Sequence, residues 1–249
     1  MRHQPTIAQE MTAEFFGTFI LVFAGCGALM VDSITGGAIT QVGVGFTFGA
    51  VVAAMIYCFG HISGCHINPA VTLAFWVCGV HPTRKVPPYL AAQVLGAVAA
   101  AAVLRWSLGD VARLGATLPL NGNWQQAFVL EIVLTFILML VVCGSGLDQR
   151  SPKGFAGVAI GLAVGIDAMV MGPITGASMN PARSFGPAAI GSHWDHHWLY
   201  WVAPIVGALI AVGVYRIIGP GAFRGEHHPI ETMPPDARRR AQERQAVGV

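Results

Sequence analysis

The triplet Asn68-Pro69-Ala70 returns as Asn180-Pro181-Ala182, and it does not return alone. Glu14, Thr18, Phe19, Ile20 and Leu21 reappear as Glu131, Thr135, Phe136, Ile137 and Leu138. Gly49 and Gly60 reappear as Gly161 and Gly172, and Tyr89 and Gly96 as Tyr200 and Gly207. The offsets run from 117 down to 111 and keep one order along the chain. Chance likeness between apolar stretches would not keep both order and spacing, so the chain is an internal duplication.

Each copy contains three apolar runs, near 11–31, 42–59 and 87–104 in the first and 127–143, 155–171 and 199–218 in the second. Their lengths approach the roughly 20 residues that cross a bilayer as a helix. The composition agrees: 54% of the 249 residues are hydrophobic and 10% charged, where a soluble domain carries about a quarter charged residues. Three spans per copy is an odd number, so the second copy enters the membrane upside down. Folds of this inverted kind place a transport pathway at the repeat interface, near the midplane. The run 11–31 is too long for a signal-peptide core and contains Glu14, so it reads as a retained span.

Of the 14 lysines and arginines, eleven fall at the termini or in the connections holding Arg84, Lys85, Arg150 and Lys153. Arg105 and Arg113 fall on the opposite side. The positive-inside bias then makes both termini cytoplasmic, in a multi-pass protein of the cytoplasmic membrane. The last basic residue, Arg183, stands apart from both groups.

Asparagine caps helix N-termini and proline is favoured at the first helical position. Asn68 and Asn180 should therefore each open a helix. The apolar stretches that follow, 70–78 and 182–190, are too short to span. They read as half-helices preceded by re-entrant loops, which membranes tolerate only when buried in protein or lining a water-filled cavity. In an inverted repeat the two enter from opposite faces and meet N-terminus to N-terminus, each end carrying roughly half a positive charge. Such a meeting disfavours cations, hydronium included. Each asparagine gives its oxygen to the cap and keeps its NH2 group to donate into the pathway. Arg183, three residues after Asn180, marks one mouth only; its counterpart in the first copy is Val71. The one carboxylate that reads as a candidate partner for it is Asp167.

Glu14 and Glu131 lie inside spans, where carboxylates are costly and usually functional. Because each accompanies a duplicated loop, they read as loop supports, the alternative being a proton relay. His66, and Cys65 three residues before Asn68, are expected at the inner vestibule, and His61 is expected to be structural. His193, Asp195, His196 and His197 form a polar cluster at the outer side. Five cysteines, none paired at ligand spacing, argue against a disulfide framework or a metal site, and no cofactor is implied. No constellation of an enzyme is present.

Over residues 8–218 the chain resembles the aquaporins, or major intrinsic proteins. The resemblance is carried by both Asn-Pro-Ala signatures, the preceding Gly60-His61-Ile62-Ser63-Gly64, the Asn180-Pro181-Ala182-Arg183-Ser184 string and the two span glutamates. It implies an all-α membrane fold: six transmembrane helices plus two re-entrant half-helices in an inverted three-helix repeat, one pore per chain, and a homotetramer in the lipid bilayer. It also implies a channel domain over 11–218, with repeats 11–104 and 127–218, after a cytoplasmic N-terminus, 1–10; the tail 219–249, rich in Pro, Arg, Glu and His, reads as a polar, disordered cytoplasmic segment. The family's outer constriction falls on Phe48, Ala168, Ala177 and Arg183. Ala168 stands where strict water channels usually have histidine, so the constriction should be wider and less polar. The string 172–184 resembles plant nodulin-like intrinsic proteins, some of which pass glycerol or metalloid acids. The implied permeants are water and small neutral solutes, without nucleic-acid partners. The alternative is a proton-coupled secondary transporter of a small solute.

Overall fold

A computed structural model of the protein describes residues 4–152, 154–219 and 223. Lys153, Arg2 and nearly all of the tail 219–249 lie outside the described residues. The helices are α1 (Ile7–Ile34), α2 (Thr40–Ser63), α3 (Pro69–Val77), α4 (Val86–Leu108), α5 (Trp124–Val141), α6 (Ala156–Thr175), α7 (Pro181–Gly191) and α8 (Leu199–Ile218). Six are long and apolar enough to cross a membrane, with mean hydropathy between 1.6 and 2.7 over their best windows. The two remaining, α3 and α7, have 9 and 11 residues.

Helix ends extend beyond the apolar runs. The first begins at Ile7 because Thr6 and Gln9 form a capping box, each side chain bonding the other's backbone N–H. Thus polar residues that hydropathy alone would exclude continue the helix. The fifth continues from α5 through one π-type turn, Val142–Leu147, before Asp148 ends it.

Packing repeats across the duplication. Helix α1 lies along α4 as α5 lies along α8, and α2 lies along α6 at the centre. Each contact depends on a glycine. A Cβ on Gly96 would overlap the Phe15 carbonyl oxygen; one on Gly207 would overlap that of Ile132. Between α2 and α6, a Cβ on Gly49 would stand 2.5 Å from the Gly161 carbonyl oxygen, and one on Gly161 the same 2.5 Å from that of Gly49. These two are repeat mates facing each other, so the pseudo-two-fold relating the copies passes between them. Small residues at such crossings let helix backbones approach where lipid gives no hydrophobic drive.

The distribution of polarity is that of a membrane protein. Leu95, Val133, Leu162, Ile166 and Val170 face outward, while Glu14, Glu131, Gln93, Asn68, Asn180 and Arg183 are buried. At one end of the bundle Lys85 pairs with Glu10 at 2.6 Å, and Arg216 Nη2 donates to the Val77 carbonyl. At the other, Arg105 Nη1 donates to the Ile190 carbonyl. The start of α1 and the end of α8 therefore share an end with the exit of α3, opposite the exit of α7.

The central crossing should be the least tolerant site in the fold. Gly49→Val is expected to cost at least about 2 kcal/mol, since its obstacle is backbone rather than a movable side chain. It should lower the thermal unfolding midpoint in detergent. Gly213→Val, where nothing lies within 4 Å of a new Cβ, should leave that midpoint in place.

Candidate functional site

Asn68 and Asn180 adopt extended backbone (φ −158°, ψ 120° and φ −151°, ψ 107°) and cap α3 and α7. The Asn68 side-chain oxygen accepts from Ala70 N at 2.9 Å; that of Asn180 accepts from Ala182 N at 3.1 Å and Arg183 N at 3.2 Å. Proline at the first position of each helix removes one N–H that would otherwise need a partner.

The side-chain nitrogens do something the sequence does not announce. Asn68 Nδ2 donates to the Met179 carbonyl at 2.8 Å, and Asn180 Nδ2 donates to the Ile67 carbonyl at 2.8 Å. Each half-helix is thus fastened to the loop that leads into the other. The expectation of a wholly free NH2 group is corrected: each amide has two hydrogens, and one is committed across the interface.

Both loops carry the same unusual backbone. Gly64 and Gly176 end α2 and α6 in the left-handed region. Cys65 (φ 48°) and Ile67 (φ 43°) then match Ala177 (φ 40°) and Met179 (φ 52°). A β-branched residue at positive φ, as at Ile67, is a true outlier, and each such residue costs roughly 1–3 kcal/mol. The glutamates offset this. Glu14 Oε1 accepts from His66 N at 2.8 Å and Ser63 Oγ at 2.7 Å, and its Oε2 from Ile67 N at 2.6 Å and Gln93 Nε2 at 2.8 Å. Glu131 Oε1 accepts from Ser178 N at 2.8 Å and Thr175 Oγ1 at 2.8 Å, and its Oε2 from Met179 N at 2.9 Å. Bonds to a charged acceptor contribute about 1.5–3 kcal/mol each, enough to hold two strained residues per loop.

Further partners were not singled out from the sequence. Ser63 Oγ and Thr175 Oγ1 accept from Cys65 N and Ala177 N, both at 3.0 Å. Tyr89 and Tyr200 donate to the Ser63 and Thr175 carbonyls at 2.9 and 2.7 Å. Their repetition was the available signal, since the tyrosines are themselves landmarks of the duplication. Gln93 has Pro204 at its repeat position, so no such signal existed for it.

Of the four residues expected at the constriction, Phe48 and Arg183 meet directly: the guanidinium carbon lies 5.0 Å from the ring centroid. Gly25 makes room for that ring, since a Cβ there would overlap it. Ala168 and Ala177 lie in the same packed cluster as Phe48. Arg183 Nη1 donates to the Gly115 carbonyl at 2.8 Å, and no carboxylate lies within ion-pair distance of Arg183 among the described residues. Asp167 does not pair with it; one of its carboxylate oxygens is buried without a hydrogen bond. Thr117, Ser184 and Ser178 form a hydroxyl chain behind this corner, at 2.8 and 2.5 Å.

On the other side, His66 Nδ1 lies 3.1 Å from Thr72 Oγ1, with its ring against Phe75, His81 and Tyr89. Cys65 is buried at the head of its loop, whereas Cys58 is exposed on α2. His61 is exposed rather than built into the interior. The outer histidines do not form one cluster. His197 Nε2 accepts from Trp201 Nε1 at 3.1 Å, and His193 Nε2 points toward Asp110 at 3.9 Å. Burial lowers the His197 pKa, in keeping with a neutral acceptor.

The model of the family described as major intrinsic protein matches residues 1–215. The chain belongs to the major intrinsic protein family. It is 47% identical over 211 residues to aquaporin NIP1-1 of Oryza sativa subsp. japonica, covering 84% of this chain and 74% of that protein. It is 44% identical over 211 residues to nodulin-26 of Glycine max, covering 84% and 78%. Its fold matches the X-ray structure of the aquaglyceroporin from Plasmodium falciparum with a TM-score of 0.79, at 24% identity, over 88% of this chain and 100% of that one. The resemblance read from the signatures is therefore borne out, as is the helical membrane fold, and members of this family are channels rather than enzymes.

Loop support by the carboxylates is testable. Glu131→Gln keeps the shape but turns an NH2 group toward backbone donors, removing about 3 kcal/mol of acceptor bonding. Both the thermal midpoint and the water flux per folded protein should fall. A proton relay at this residue would instead lose proton uptake with the fold unchanged.

Proposed function

We propose that the protein is a passive membrane channel for water and small neutral solutes, with its pathway running past Asn68 and Asn180 and through the corner held by Phe48, Ala168, Ala177 and Arg183. The observation that carries this reading is the reciprocal fastening of two half-helix N-termini, each capping asparagine donating to the loop before the other.

The chemistry follows from those groups. A permeating water meets the second hydrogen of each asparagine amide and accepts from both. Its own hydrogens then point away from the junction along the file, so no continuous donor chain crosses it. The two helix ends, each roughly half a positive charge, and the guanidinium of Arg183 oppose a cation entering from the outer mouth. A neutral solute meets the field without that penalty. At Ala168 and Ala177 the wall consists of methyl groups, which leave width for solutes larger than water and add no side-chain donor.

Coupled transport is less well supported. A proton carrier needs a carboxylate that water can reach, and Glu14 and Glu131 are fully buried. Both oxygens of each accept loop donors. Alternating access also needs the repeats to rock, whereas α2 and α6 touch backbone to backbone at Gly49 and Gly161. The rest of the reading is a channel domain over 11–218 with cytoplasmic ends, a location in the cytoplasmic membrane with the Arg183 mouth outward, an inner vestibule at Cys65 and His66, and a homotetramer. The positive-inside bias and the family support it.

Two measurements on proteoliposomes test the assignment. Arg183→Val combined with Asn180→Asp should raise proton or cation leak, read by a pH dye, while water flux by light scattering continues. An electrically silent double variant that still conducts water sinks the barrier account. Ala168→His should reduce glycerol flux more than water flux, by about tenfold against the parent, the discrimination expected where a pocket loses space for a methylene-sized group. Equal reduction of both removes Ala168 from the pathway wall.

A further inference from the structure

Gln41 stands in the first turns of α2, seven residues before Phe48 and so on nearly the same helix face. Its Nε2 crosses to α6 and donates to the carbonyl oxygen of Ala168 at 2.7 Å. That oxygen is the regular helical acceptor for Gly172, so the glutamine occupies its second lone pair. One residue further, Pro173 lies inside the helix. It has no N–H to give the Met169 carbonyl, and the turn holding Ala168 is therefore less firmly bonded than its neighbours.

The space for this contact is made by one residue. A Cβ built on Gly172 would meet only Gln41 within its three nearest atoms: Nε2 at 2.5 Å, Cδ at 3.6 Å and Oε1 at 3.9 Å. Deeper in the bundle, α2 and α6 are clamped by backbone contact at Gly49 and Gly161, and at Gly45, where a Cβ would stand 2.8 Å from the Gly165 carbonyl oxygen. Toward the Arg183 mouth the Gln41 amide is a side-chain hydrogen bond tying the pair together. Helices clamped at a crossing can splay beyond it; Phe48 is held within the clamp, whereas Ala168 stands at its edge, beside the Gly45 contact with Met169 N, so the tie acts on Ala168.

We infer that Gln41 is a positioning residue for solute selection: its hydrogen bond to Ala168 sets how far the Ala168 wall stands from the clamped Phe48, and with it the largest neutral solute admitted. The inference rests on the reading of Phe48, Ala168, Ala177 and Arg183 as the outer constriction. Gln41 touches no permeant and acts through Ala168. Without its bond, the α6 wall relaxes outward and larger solutes gain more than water does.

The test compares glycerol and water permeability in proteoliposomes of the full chain, carrying Gln41→Met, Gly172→Ala or both. Met has similar volume and no donor, whereas the new alanine methyl displaces the amide by occupying its place. Each single variant should raise the glycerol-to-water ratio about threefold or more, the scale of one hydrogen bond. The double variant should match the singles rather than multiply them, because both remove one contact. Gln41→Lys, which restores a donor of similar reach, should return the ratio toward the parent value. If Gln41→Met is not recovered folded, Gly172→Ala reads the same contact alone. Unchanged ratios in Gln41→Met and Gly172→Ala, while Ala168→His still lowers the ratio, overturn the role of Gln41 and leave the constriction standing. Multiplicative effects in the double variant overturn it as well. A ratio unmoved by Ala168→His removes the constriction itself, and the inference with it.

Discussion

The junction of α3 and α7 is the constraint on which the rest of the structure depends. Two helix N-termini of like partial charge are held head to head in the middle of a membrane, with strained loops behind them. Neither half is stable there by itself, because a re-entrant loop leaves backbone groups that lipid cannot satisfy. The crossed amides, Asn68 to Met179 and Asn180 to Ile67, make each loop the partner of the other helix. From this follow the buried carboxylates behind the loops, the tyrosines that hold the loop entries, and the glycines that let six helices close tightly around the pair.

Most of the architecture was legible in the sequence. The doubled Asn-Pro-Ala, read with cap chemistry, placed both half-helices to within a residue or two, and the duplicated glutamates pointed to loop support. Helix ends were less legible, because Thr6 and Gln9 extend α1 by side-chain bonding that hydropathy does not register. Part of what stayed hidden has no counterpart in the other copy. Gln93, Gln41 and the connection around Gly115 and Thr117 carry no periodic signal. The bonds they make cross from one element to another far away in sequence. Asp167 was a fair candidate partner for Arg183 by polarity alone, yet a carbonyl oxygen and an aromatic face take that place.

The treatment of Arg183 illustrates a general choice in building a positive site. A carboxylate partner would cancel the field around it. A carbonyl and a ring quadrupole orient the guanidinium and leave its charge uncompensated, at the expense of a weaker hold. The chain keeps its neutralising acids, Glu14 and Glu131, on loop amides instead.

That carbonyl belongs to Gly115, in the connection between α4 and α5. Two unlinked copies of one repeat, paired about their two-fold, would have no such connection and two identical mouths. Joining them end to end creates a single stretch of chain that occurs once and can lie on only one face. The arginine of the second copy is anchored by that stretch, while the first copy has valine at the same position. Polarity in this pore, a front distinct from a back, is thus a property of the fused polypeptide: the splice between the halves is what gives the molecule its direction.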